Sequence, residues 1–145
     1  FFFFFLDSTR LGYGVANRHI TESIEVCRKI ANVNSFAAAA GVFALKDTEF
    51  NAAVKVKNNS ERSRVSEALT EMGYSVIPSQ TNFVMVRFGA EAASLWEYLK
   101  TQGIWTRMGW NLPEYIRISL GTPEENSWLL EEIQKWRNHK QGDQK

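Results

Sequence analysis

Apolar residues recur along the chain at two spacings, and the change from one to the other falls near Gly73. Leu11, Tyr13 and Val15 alternate with Gly12, Gly14 and Ala16, the period of a short strand with large residues on one face and closely approached backbone on the other. Thr21 opens a helix to about Ile30, with Ile20, Ile24 and Cys27 near one face. Asn32–Ser35 breaks it, and Ser35 can cap an alanine-rich helix to about Leu45 that would pack tightly against its neighbours. Asp47 or Thr48 then starts a long amphipathic helix to about Met72, carrying Phe50, Val54, Val65, Leu69 and Met72. Its polar stretch Lys57–Arg64 faces solvent and allows a bend near Asn58–Ser60. Gly73 sits where a C-terminal stop belongs.

Beyond Gly73 the segments shorten. Tyr74–Ile77 reads as a strand, Pro78–Gln80 as a turn and Asn82–Phe88 as a second strand. Ala90–Gln102 follows as a helix with Ala93, Leu95, Trp96 and Leu99 on its apolar side, and Gly103 ends it. Ile104–Arg107 is a third strand, Met108–Glu114 a loop and Tyr115–Leu120 a fourth strand. Thr122-Pro123-Glu124-Glu125 combines a threonine N-cap, a proline at the first helical position and a glutamate three residues on, the pattern of a capping box. The helix it starts runs to about Arg137 and buries Trp128, Leu129, Ile133 and Trp136, leaving a frayed polar tail from Asn138. The order strand, strand, helix, strand, strand, helix predicts a small α+β layer with its helices on one face. The long helix before it reads as a strut between two lobes, with Ser8–Leu45 belonging to a larger lobe.

At 145 residues, 44% hydrophobic and 23% charged, the chain has the composition of a soluble globular domain with a real core. A net charge of +1 argues against nucleic acid or a membrane surface as partner. One cysteine, Cys27, excludes an internal disulfide and makes a reducing, intracellular and by default cytoplasmic setting the expectation, with organelle targeting still open. The run Phe1–Phe5 followed by Leu6 is too short to span a bilayer, which takes about 20 residues. It also lacks the basic flank of a signal peptide. Because phenylalanine codons are pyrimidine-rich, the hypothesis is that residues 1–7 are a non-native leader, a translated polypyrimidine tract ahead of a splice site. A mature transcript that reads through five phenylalanine codons would sink it. The domain expectation is therefore a leader at 1–7, part of a large cofactor-binding domain at 8–46, and an interdomain helix with a small domain at 47–145.

Candidate chemistry is sparse on residue type alone. The two histidines and single cysteine make a poor catalytic set, and a metal or Cys–His site from His19 and Cys27 is not expected. There is no phosphate-cradling loop and no dinucleotide fingerprint of glycines. The arginines carry more information. Arg107 closes one predicted strand and Arg117 lies within the next, while Arg10 precedes the glycine-rich strand. An isolated strand arginine is usually a surface residue, but planar guanidinium forks that converge can hold carboxylates and phosphates bidentately.

Five motifs in order resemble one family. Arg10-Leu11-Gly12-Tyr13-Gly14-Val15-Ala16 is similar to the segment after the cofactor-binding lysine in class II aminotransferases of fold type I. Asn32-Val33-Asn34-Ser35 with its alanine helix resembles the next stretch, and Pro78-Ser79-Gln80-Thr81-Asn82-Phe83-Val84 resembles the family's strand entry. Gly103-Ile104 with Arg107, then Leu112–Ser119, then Gly121-Thr122-Pro123-Glu124-Glu125-Asn126, is very similar to the C-terminus of histidinol-phosphate aminotransferases. The match runs in register from about Arg10 to Trp136.

The resemblance implies the C-terminal small domain of such an enzyme, with part of its large domain, pyridoxal 5'-phosphate as cofactor and a homodimeric parent. It implies that Arg10 holds the cofactor phosphate, that Arg117 grips the α-carboxylate of an amino-acid substrate, and that Arg107 binds a second anion. That second anion is the phosphate of histidinol phosphate or the side-chain carboxylate of glutamate. Asn82 would lie near the substrate end with no firm role. The implied reaction passes an amino group between glutamate and the 2-oxo partner of histidinol phosphate, in histidine biosynthesis.

The chain also departs from the family. The lysine expected eight residues before Arg10 falls on Phe2, and the small-residue linker between them is Phe3–Thr9. No catalytic residue is therefore assigned, and the chain alone is predicted not to transaminate. Ile30-Ala31 replaces a common Pro-Phe, and Ala38 a common glutamine. The rival readings are an aromatic-amino-acid aminotransferase of the same subgroup, a non-catalytic binding module that kept the small lobe, and a gene-model remnant.

Overall fold

The computed structural model describes residues 4–6, 11–28 and 32–142. The chain divides into two compact units, Phe1–Ala53 and Val54–Lys145.

In the first unit, β1 (Phe4–Leu6) pairs antiparallel with β2 (Leu11–Tyr13), so Phe4 and Phe5 lie in a strand. Helix α1 (Arg18–Cys27) begins earlier than Thr21, because the Asn17 side chain accepts from the Ile20 amide at 3.0 Å and caps it. Helix α2 (Ser35–Lys46) is capped by Asn34, whose Oδ1 accepts from Ala37 N at 2.7 Å, and not by Ser35. Asparagine outcompetes the adjacent serine by reaching the N3 amide from the residue before the helix. On α2 only Ala37 and Gly41 are buried, and Phe36 and Phe43 stand about three-quarters exposed.

Helix α3 (Thr48–Glu71) is unbroken through Asn58–Ser60, where a bend was allowed. Asp47 caps it through Phe50 N at 3.1 Å. Its apolar stripe is only half used: Val65 and Leu69 are fully buried, whereas Phe50 and Val54 are exposed. At its end Gly73 takes φ 90°, which lets Tyr74 N reach Leu69 O at 3.0 Å and Gly73 N reach Thr70 O at 2.8 Å. Gly103, at φ 80°, repeats that left-handed termination after the next helix.

The second unit is built on β3 (Ser75–Ile77), β4 (Phe83–Arg87), β5 (Arg107–Gly109) and β6 (Leu112–Ser119). They form one antiparallel sheet in the order β3-β4-β6-β5. A 3-10 turn at Gly89–Glu91 leads into α4 (Ala92–Thr101), and α5 (Pro123–Gly142) closes the unit. Alternate residues Val84 and Val86 of β4 and Ile116 and Ile118 of β6 point to one face. There they meet Val65 and Leu69 of α3, Leu95 and Leu99 of α4, and Leu129, Ile133 and Trp136 of α5. The unit is thus a sheet with helices on one face, as the segment order predicted.

In this unit the larger differences from expectation lie toward the end of the chain. The third strand starts at Arg107 and not at Ile104, and Leu112–Glu114 are strand and not loop. A tight turn at Trp110–Asn111 makes the difference: Asn111 takes φ 54°, a left-handed conformation asparagine tolerates, so the chain folds straight back on itself. The last helix reaches Gly142, past Arg137, and Trp128 is 45% exposed where burial was expected. Its start is as read: Thr122 N donates to Glu125 Oε2 at 2.7 Å and Glu125 N donates to Thr122 Oγ1 at 3.3 Å. Among the described residues no helix is long and apolar enough to cross a membrane.

Candidate substrate-binding site

The face of the sheet turned away from the helices brings two of the three candidate arginines together. In the β5–β6 hairpin Arg107 stands directly opposite Arg117, and across β4 Arg117 stands opposite Met85. Directly paired residues on antiparallel strands project to the same face, and like charges placed so repel by roughly 0.2–1 kcal/mol. Arg10 lies outside the described residues.

What the two arginines touch is as informative as where they stand. Arg87, on the same face, meets Glu114, with Nε at 2.8 Å and a terminal nitrogen at 2.7 Å from its carboxylate. Arg64 is held the same way by Glu61 at 2.7 Å. Neither Arg107 nor Arg117 has a carboxylate partner among the described residues. Arg117 is half-buried, and its Nε is shut off from solvent with no hydrogen-bond partner. A buried donor left unpaired costs about 1–3 kcal/mol.

Phe83 supports this arginine. Its ring centroid lies 5.0 Å from the Arg117 guanidinium carbon, a cation–π contact that leaves the edge of the fork available. Phe83 is placed by a polar knot in the preceding turn. Ser79 Oγ donates to Phe83 O at 2.7 Å, Thr81 Oγ1 donates to the same oxygen at 3.1 Å, and Arg62 of α3 donates to Thr81 O at 3.0 Å. The Ser79–Phe83 motif therefore sets the backing of Arg117, a role not assigned from sequence although the phenylalanine is part of the motif. Asn82 holds the strand end through its carbonyl, which accepts from Leu120 N at 2.9 Å.

The turn leading out of β6 is anchored by a buried polar cluster. Asn126, 2% exposed, donates to Glu61 Oε2 at 2.7 Å and to Gly121 O at 3.1 Å, and accepts from Gly121 N at 3.0 Å. Arg64 completes the cluster by reaching Pro123 O at 3.1 Å and Ser127 Oγ at 3.3 Å. The hydrogen bonds from Arg64 and then Asn126 hold the Glu61 carboxyl below its ordinary value of 4.5, outweighing the opposing effect of burial. A folded-state value depressed in this way gives stability that is present above the unfolded value and lost as pH falls through the folded one. The expected result is a urea midpoint that drops on acidification below about pH 4.5, with a shallower drop in Glu61→Gln. An identical pH profile in the two proteins would remove Glu61 from the explanation. Glu132, buried between α4 and α5, is lowered in the same sense by Lys135 and Tyr98, so the variant is the discriminating comparison.

His19 and Cys27 are both exposed on α1, and no group of three or more metal-ligating side chains occurs among the described residues.

The aminotransferase class I and II family profile matches residues 4–133. A histidinol-phosphate aminotransferase of Geobacillus thermodenitrificans is 35% identical over 138 residues, which are 94% of this chain and 38% of that protein. Histidinol-phosphate aminotransferase 2 of Ralstonia nicotianae is 39% identical over 127 residues, covering 84% of this chain and 34% of its own. The crystal structure of histidinol-phosphate aminotransferase from Sinorhizobium meliloti, in complex with pyridoxal-5'-phosphate, superposes with a TM-score of 0.70 at 28% identity. It covers 90% of this chain and 38% of that one. The chain thus spans little more than a third of the length of these relatives, and it belongs to the aminotransferase class I and II family.

Proposed function

We propose that this chain forms the substrate-binding part of a pyridoxal-phosphate-dependent aminotransferase that exchanges an amino group between histidinol phosphate and 2-oxoglutarate in histidine biosynthesis. The observation that carries the reading is the unpartnered, buried Nε of Arg117 directly across the hairpin from Arg107. Two planar forks on one rigid sheet face suit a substrate with two anionic ends. Arg117 takes the α-carboxylate of the amino acid, and Arg107, more exposed, takes the second anion. Fixing both ends orients the carbon between them for reaction, which is how binding energy is turned into rate.

The described residues fit an anionic substrate and do not by themselves fit the cofactor. No strand of the sheet carries a lysine, and Lys100 and Lys135 are paired with Glu97 and Glu132 on the helices. Phe2 stands at the position matched to the cofactor lysine, and Arg10, matched to its phosphate ligand, is the only candidate on this chain. These residues therefore bind and orient substrate, and the 145-residue polypeptide mixed with pyridoxal phosphate is expected to give no transamination. The parent enzyme is proposed to be a homodimer, as the family resemblance implies.

Arginine side-chain resonances followed by nuclear magnetic resonance during titration test the reading. Glutamate should move Arg107 and Arg117 together, histidinol phosphate should move Arg107, and phenylalanine should move Arg117 alone. Arg107→Gln should then weaken histidinol phosphate and glutamate by roughly tenfold or more and leave phenylalanine unchanged. Loss of all three ligands alike in Arg107→Gln would count against the division of roles. Binding of phenylalanine in clear preference to histidinol phosphate would favour the aromatic-amino-acid aminotransferase reading.

A further inference from the structure

A second feature of the Val54–Lys145 unit lies away from the arginines and is independent of the aminotransferase reading. Among the described residues, strand β3 is the last in the sheet order and pairs only with β4. Among the described residues, no backbone group of Ser75–Ile77 makes a further hydrogen bond outside that pairing. Alongside runs a groove of about 420 Å³, lined by Ser66, Glu67, Thr70 and Glu71 of α3 and by Val76 and Ile77 of the strand. Ile77 is 42% exposed there.

We propose that this groove and strand edge form a docking site for an extended segment of another protein carrying lysine or arginine at alternate positions. The segment would add to β3 as a further strand, with main-chain hydrogen bonds giving affinity and its basic residues giving specificity. Charge complementarity selects this occupant. Glu67 and Glu71 are exposed and have no ion pair among the described residues, while the nearby cations are engaged elsewhere. Arg64 is on Glu61, Arg87 on Glu114, and Arg62 on Thr81 O and Asn59.

Spacing gives the same answer. Residues four apart on a helix are separated by about 6 Å along its axis. Residues two apart on a strand are separated by about 6.6 Å and share a face. Two alternate basic side chains of an added strand would therefore meet Glu67 and Glu71 in step. A second copy of this chain fits poorly, because pairing β3 with β3 would bring two acidic pairs together. Carboxylates that merely guard an edge against aggregation are usually placed on the strand itself. Here the strand is Ser75-Val76-Ile77, and the charges stand on the neighbouring helix.

The test uses the 145-residue chain and a labelled peptide with lysine at alternate positions and threonine or valine between, read by fluorescence polarisation. The same peptide with glutamate for lysine is the control. Binding of the lysine peptide alone is expected, weakening as salt rises. The double variant Glu67→Gln, Glu71→Gln should bind roughly tenfold more weakly with unchanged circular dichroism. Amide hydrogen exchange at residues 75–77 should slow when the lysine peptide is present. Equal binding of the two peptides, unchanged affinity in the double variant or unprotected β3 amides would each overturn the proposal. So would self-association of the chain that protects those same amides.

Discussion

Arg117→Ala is expected to weaken glutamate binding by one to two orders of magnitude while leaving the fold at least as stable as before. Charged hydrogen bonds of this kind contribute about 1.5–3 kcal/mol, so losing the fork should weaken binding roughly 10- to 150-fold. Stability should not fall, because the substitution also removes the unpaired buried Nε, which costs about 1–3 kcal/mol, beside two smaller effects that oppose each other. The contact of Arg117 with Phe83 stabilises by about 0.5–1 kcal/mol, and the repulsion from Arg107 opposite destabilises by roughly 0.2–1 kcal/mol. Arg117→Lys keeps the charge but replaces a planar fork with a point donor, so most of the affinity should still be lost. Calorimetric titration with glutamate and thermal melts on the same samples separate the outcomes. An alanine variant that melts several degrees lower yet binds glutamate normally would make Arg117 a structural residue and remove the anion site.

Asn126→Ala should have the opposite signature, a large loss of stability with little direct effect on the anion. The substitution removes three hydrogen bonds from a side chain 2% exposed and leaves a buried Glu61 carboxylate with Arg64 as its remaining partner. Roughly 2–4 kcal/mol is expected, since a buried charged group is deprived of a donor and the turn at Gly121 loses its anchor. Combining it with Glu61→Gln should cost less than the sum of the two, because the neutral amide no longer needs that donor. Urea denaturation of the single and double variants measures this. Strictly additive losses would show that Glu61 and Asn126 act independently, despite the 2.7 Å between them.

The strand position of Arg117 was legible in the sequence and the burial of Asn126 was not, and the difference lies in how each is held. Arg107 and Arg117 stand out because converging guanidinium forks can hold anions and because the surrounding segments resemble one family. Their facing each other depends on the register of the β5–β6 hairpin, which the reading placed differently by treating Leu112–Glu114 as loop. The left-handed Asn111 and the shift between Met108 and Gly109 set that register, and neither is visible as a spacing. Asn126 sat within a recognised motif, but its partner Glu61 is 65 residues away on a helix stretch that looked solvent-facing.

The sequence by itself determined the elements whose causes are local. The capping box at Thr122–Glu125, the glycine terminations at Gly73 and Gly103, and the alternation that buries Val84, Val86, Ile116 and Ile118 act within a few residues, so composition and order suffice. Tertiary structure alone decided which half of the α3 stripe was covered. It also placed Phe83 beneath Arg117, left β3 as a free edge and sealed Glu61 against Asn126. Those outcomes join residues distant in sequence. They follow from strand register and from the requirement that each buried polar group find a partner, conditions that apply only once the chain has closed around its core.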